Sequence, residues 1–205
     1  MAENARQEDL KHPAWLNTPL PFDGYTYGNY KKWDDGFRAE LIEGIPCMMA
    51  SPDERHQWLC GNLYRQLGNQ LDGKECTPYM ELDVRLFYAE DETDKTVVRP
   101  DIIVVCDENK VLGKKNCEGA PDFVLEIVSE HSEGSDLVTK KKLYRRAGVK
   151  EYWAVGRDRV FQHRLEGGDY AEKTIILKES AKLPLDALAG CVLDFQAYAE
   201  RYNQS

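Results

Sequence analysis

The chain lacks several things that would have placed it quickly. No run of 18 apolar residues exists, so the span of a membrane helix is missing. The N-terminal MAENARQEDLKHPAW is polar and has no apolar stretch of the kind a secretory signal carries. A cationic surplus is absent: the formal net charge is −9, so no global positive field draws the chain to nucleic acid. The six cysteines, at 47, 60, 76, 106, 117 and 191, form no C-x-x-C pair and no Cys/His set at zinc spacing. These absences predict a soluble, cytoplasmic protein with no membrane partner and with reduced, free thiols. Internal repeats and low-complexity linkers are missing as well. At 205 residues with 42% hydrophobic content, one α/β domain is expected over 22–205. It would follow an irregular arm over 1–21, where Pro13, Pro19 and Pro21 oppose a helix.

What is present concentrates between residues 97 and 155. VVRPDIIVVC and GAPDFVLEIVS are apolar β-type runs, and DLVTKKKLYRRAGVKEYWAV reads as a helix followed by a strand. Each of the first three elements carries an ionisable residue where a purely structural element would not. Asp101 precedes Ile102, Glu126 interrupts FVLEIV, and Lys140 lies on the helix. At about 100° per residue, Leu143, Ala147, Lys140 and Tyr144 share an arc of about 100°. Lys142 and Arg146 fall opposite, and Lys141 falls at the margin. Burying a lone ammonium costs several kcal/mol unless it is paired. Lys140 therefore either snorkels from a core edge or meets a carboxylate. Glu126 either faces solvent at a strand end or has a partner.

Elsewhere the signals are ordinary. Thr26 is a candidate cap for a short helix through Trp33. FRAELIEGIPCMMA reads as two strands turning at Glu43-Gly44. A helix is expected over 53–71, with Leu59, Cys60, Leu63, Leu67 and Leu71 on one face. His56 shares that face and is either a core-edge histidine or a site residue. Strands are expected over 79–87, 97–106 and 123–128, joined with 37–48 in one central mixed sheet between helices 53–71 and 136–147. A β-hairpin follows over 159–177 and a short helix over 193–202. Asp136–Lys150 holds six Lys and Arg against one Asp. Lys142, Arg145 and Arg146 are thus candidates for nucleic-acid phosphates, or a solvated basic face.

The order RAELIEG, MMASPDERHQ, LDVRL, RPDIIVVCD, GAPDFVLEIVS and DLVTKKKLYRRAGVKEYWAV resembles the Uma-type restriction endonuclease domain family, over about residues 22–195. That family is part of the PD-(D/E)xK, restriction-endonuclease-like superfamily. In the superfamily pattern a lysine stands two residues after the second acid, and here that position is Val128. The resemblance implies that the lysine has moved to the next helix, in a D-L-x-x-K-x-x-x-Y context matched by Asp136, Lys140 and Tyr144. It further implies an early acid from the ELIEG turn, Glu40 in preference to Glu43. Gly156 departs from the family's usual Asp and is taken as a turn change. Asp122 of GAPD is taken as a turn residue. A restriction-endonuclease-like α/β fold is implied, with Asp101, Glu126 and Lys140 as catalytic residues and Glu40 as an accessory; His56 is a second accessory candidate from its place on the helix face. Asp101 and Glu126 would hold Mg²⁺, with Mn²⁺ as a substitute, for hydrolysis of DNA. A homodimer is expected by analogy with nucleases that cut both strands. The alternative is a nuclease fold that no longer cuts and serves as a nucleic-acid-binding or assembly module. A thiol enzyme has no support, because no cysteine stands in an activating context.

Overall fold

The structure, a computed structural model, describes residues 21–33, 38–128 and 136–202. Most of the expected arm, and Phe37 at the expected start of the first hairpin, lie outside them. Thr26 opens a single helical turn, α1 (Tyr27–Tyr30), its N–H donating to Asn29 Oδ1 at 2.9 Å. Strands β1 (Ala39–Ile42) and β2 (Ile45–Met48) pair antiparallel. Their turn residues Glu43 and Gly44 both take positive φ, 49° and 86°, the geometry of a tight two-residue hairpin. Gly44 is needed for space too, since a Cβ there would come within 3.1 Å of Gly24 Cα.

Helix α2 (Glu54–Leu71) starts at Asp53, whose carboxylate accepts the His56 N–H at 2.8 Å. Its stripe of Leu59, Cys60, Leu63, Leu67 and Leu71 is buried, as the spacing predicts. It packs on Ile102, Val104, Phe123, Leu125 and Trp153.

The expected single sheet is two sheets, and the cause is a bend in one long hairpin. Strands β3 (Thr77–Met80) and β4 (Val84–Arg85) replace the single strand read over 79–87. Likewise β5 (Val97–Val98) and β6 (Ile102–Val105) replace the one read over 97–106. Met80 opposes Ile102 and Val84 opposes Val98, so both halves share one register. Between them Pro100 has no N–H to give the ladder, and Glu81 takes φ 48°. The outer half joins a six-stranded sheet with β8 (Phe123–Ile127), β9 (Glu151–Val155), β10 (Arg159–Glu166) and β11 (Asp169–Ile176). Its order is β11-β10-β9-β8-β6-β3, with β8 and β9 parallel. The inner half joins β1, β2 and β7 (Cys117–Glu118), in the order β2-β1-β5-β4-β7. Alternation of apolar residues reports a strand's face but not its bend, so this split was not visible in the sequence.

The helix expected over 136–147 begins as a π-helical turn, Asp136–Lys140, and continues as α3 (Lys141–Ala147), stopped by Gly148 at φ 85°. The expected C-terminal hairpin is β10 and β11. The helix read over 193–202 is shorter: Val192–Asp194 is strand β13, paired with β12 (Lys182–Pro184), and α4 (Gln196–Tyr202) follows. No described helix is long and apolar enough to cross a membrane.

The thiol expectation needs correction. Cys76 and Cys106 are one pair beyond Thr77 and Val105 in the hairpin register, and they form a disulfide. Thirty residues separate them, and spacing alone cannot reveal that register brings them face to face. Cys47, Cys60, Cys117 and Cys191 are free. Thiol titration of the denatured, unreduced chain should therefore count four thiols; six would contradict the bridge. In the chain-entropy description, closing a loop of this size is worth about 3–4 kcal/mol, which reduction should remove in a denaturant melt.

Candidate active site

The bend sets Asp101 at the start of β6, beside the end of β8. Asp101 Oδ2 accepts the Ile127 N–H at 2.6 Å, which fixes its carboxylate to the main chain one residue beyond Glu126. Glu126 lies inside β8 and is buried, so its solvent-facing alternative fails. Its Oε1 accepts from Lys140 Nζ at 2.9 Å and from Tyr144 OH at 2.7 Å. Lys140 Nζ donates equally to Glu40 Oε1, at 2.9 Å. Glu40, on β1, also accepts the Arg99 N–H at 2.8 Å. Glu40, Asp101, Glu126 and Lys140 are each 5–7% exposed. Four elements thus deliver three carboxylates and one ammonium to a single buried cluster.

A fifth element adds His56. Its Nε2 lies 3.0 Å from Asp101 Oδ1, which places it in the cluster and not among aliphatic side chains. Burial opposes its protonation, but the hydrogen bond and charge of Asp101 outweigh burial and raise its pKa. His56 Nδ1 is buried and has no hydrogen-bond partner among the described residues.

The cluster carries excess negative charge. With every group ionised, three carboxylates face Lys140 and His56, which leaves one uncompensated negative charge, or two when the imidazole is neutral. Burial raises the pKa of Glu126 to about 7; Lys140 opposes that rise, and Asp101 and Glu40 add to it. Burial likewise drives Tyr144 well above its usual value, and Glu126 adds to the effect, so the phenol stays a donor. Among the described residues no three His, Cys, Asp or Glu side chains are grouped as a metal cage. Asp101 and Glu126 are the two oxygen donors a hard cation could use, and the surplus charge suits one. Mg²⁺ typically takes only one or two protein carboxylates and keeps water in its other positions.

The other candidates separate by position. Glu43 pairs with exposed Arg146 at 2.5 Å and is remote in role from Glu40. Arg145 pairs with Asp169 at 2.7 Å, and Lys141 with Glu172 at 2.8 Å. Lys142 is exposed. The wheel's ordering of the three lysines is therefore the observed one, although a π turn precedes α3. Asp122 caps main chain by accepting the Cys106 N–H at 2.8 Å. Sequence reasoning did not give Tyr144 a site role; its signal was a position one turn beyond Lys140 on the same face. The Ile127 and Arg99 main-chain donors left no signal, since a backbone N–H is invisible in side-chain pattern.

Fold and cluster define a restriction-endonuclease-like α/β protein with a carboxylate–lysine centre. The family model described as "Putative restriction endonuclease" (Uma2) matches residues 28–196, and the chain belongs to that family. A solved structure described as a "putative nuclease belonging to DUF820 from Anabaena variabilis" is similar in fold. It has a TM-score of 0.63 at 16% identity, covering 91% of this chain and 95% of its own. No curated protein sequence matches significantly.

The charge balance predicts a pH dependence. Glu126 keeps its proton to a higher pH folded than unfolded. Its contribution to stability is therefore full below the ordinary carboxylate range and is lost as pH rises through about 7. Metal-free wild type should lose stability across that window relative to Glu126→Gln in denaturant melts; parallel profiles would contradict this. Lys140→Met should cost about 3–5 kcal/mol near pH 8, where Glu126 is ionised, and less near pH 5.

Proposed function

We propose that the chain is a metal-dependent endonuclease that hydrolyses phosphodiester bonds of DNA at the Asp101, Glu126 and Lys140 cluster. The observation that carries this is the meeting of Glu40, Glu126 and Lys140 from separate elements at hydrogen-bonding distances, with the Asp101 carboxylate tied to the Ile127 N–H beside them. A buried arrangement of that kind costs stability unless a function retains it. Mg²⁺, or Mn²⁺ in its place, held by Asp101 and Glu126, supplies a Lewis acid for the phosphate and a bound water of lowered pKa. Lys140 orients the attacking water or meets charge that develops on the phosphate, and Glu40 holds its ammonium in place. Tyr144 and Lys140 both occupy Glu126 Oε1, which would leave Oε2 as the oxygen available to a cation. His56 fixes the other oxygen of Asp101. Two copies, each cutting one strand, form the working unit.

Plasmid DNA incubated at low salt with Mg²⁺ or Mn²⁺ should be nicked by wild type. Asp101→Ala should lose that activity by at least about 10²-fold. Lys140→Ala should lose it independently of salt. Lys142→Ala should show only a small loss that fades at high salt, as a screened phosphate attraction does. Equal, salt-sensitive losses at Lys140, Lys141 and Lys142 would mean a basic patch without a catalytic lysine. The acidic net charge favours the competing role of a retired binding module. Metal-dependent, Asp101-dependent nicking would exclude it.

A further inference from the structure

Beyond any metal held by the cluster, a substrate phosphate beside these carboxylates needs a cationic side chain to receive it. Lys140 is committed to Glu40 and Glu126. Arg99 donates from Nε to Asp83 at 2.6 Å, and Arg38 is paired with Glu81 at 2.8 Å. On the helix face, Arg145 and Arg146 are each engaged by an acid. Arg55 differs from all of these. Its Nη1 donates to Tyr198 OH at 2.7 Å and its Nη2 to the Val128 carbonyl at 3.4 Å, both neutral groups. Among the described residues no carboxylate lies within ion-pairing distance of it. Among the described residues its charge thus has no carboxylate partner, and a guanidinium has five donors with which to meet ligands.

Its position is equally specific. Arg55 precedes His56, whose ring touches Asp101, and its fork reaches the carbonyl two residues beyond Glu126. The side chain is partly exposed. Tyr198 of α4 anchors it, with Trp58 beside that phenol at 6.5 Å between ring centroids. The anchor lies beyond the 28–196 segment that matches the family model. A planar fork held in one orientation matches the geometry of a phosphate oxygen pair, and prior anchoring lowers the ordering cost of binding.

We infer that Arg55 is a phosphate-binding positioning residue, held by Tyr198, that receives a backbone phosphate of the nucleic-acid substrate beside the carboxylate cluster. The inference rests on the nuclease role proposed above. The test is binding of a labelled duplex DNA by the full chain without divalent metal, across a series of salt concentrations. Arg55→Gln should weaken binding about tenfold at low salt and reduce the slope of log K against log salt by about 0.9, the loss of one phosphate contact. Arg55→Lys should restore most of the slope while leaving affinity below wild type, because an ammonium lacks the fork. Unchanged affinity and slope in Arg55→Gln, or no binding of DNA by wild type, would overturn the inference. Should Arg55→Gln fail to fold, Tyr198→Phe decides. It keeps the charge and frees the guanidinium, so weaker binding with an unchanged slope supports the inference and unchanged binding overturns it. Arg55-dependent binding without metal-dependent cleavage supports the phosphate contact and sinks the nuclease role. Asp101-dependent cleavage with an indifferent Arg55 does the reverse.

Discussion

The structure depends on one buried ammonium. Lys140 Nζ lies 2.9 Å from both Glu40 and Glu126, and through them it ties α3 to β1 of one sheet and β8 of the other. Burial pushes Glu126 toward its protonated form and Lys140 opposes this, while an unpaired ammonium at that depth would be costly. The remaining contacts refine this pairing. Tyr144 adds a neutral donor to Glu126, and the Arg99 main chain adds one to Glu40. When all are ionised the carboxylates outnumber the cations paired with them, an arrangement that does not maximise stability.

The bend in the 76–106 hairpin is what makes the cluster possible. In the β6–β8 register, one pair beyond Ile102 and Leu125, Asp101 falls opposite Glu126 near the end of β8. With Pro100 interrupting the ladder and Glu81 at positive φ, the two halves enter different sheets. Asp101 is left at the corner, within reach of the Ile127 N–H from one side and of His56 from α2 on the other. The disulfide at the open end of the same hairpin holds the register that sets this corner.

How much of this was legible in the sequence follows from which signals are local. Helical periodicity gave α2 its buried face and separated Lys140 from Lys142. Polar residues inside apolar runs singled out Glu126 and Lys140, because their burial is costly whatever the fold. The division into two sheets, the pairing of Cys76 with Cys106 and the site position of His56 depend on register and on a bend. Those are properties of chain segments far apart in sequence, and no local pattern encodes them. The preference for Glu40 over Glu43 came from resemblance alone, and the structure supplies its physical basis: Glu40 points at Lys140, whereas Glu43 takes the φ 49° of the turn.

The central proposal is that the buried carboxylate-rich cluster receives a divalent cation. Calorimetric titration of Mn²⁺ into the metal-free protein near pH 8, with wild type and Asp101→Ala side by side, tests it most directly. The account predicts one saturable site per chain in wild type and no such site in the variant. Equal binding by both proteins, or none by either, would contradict it.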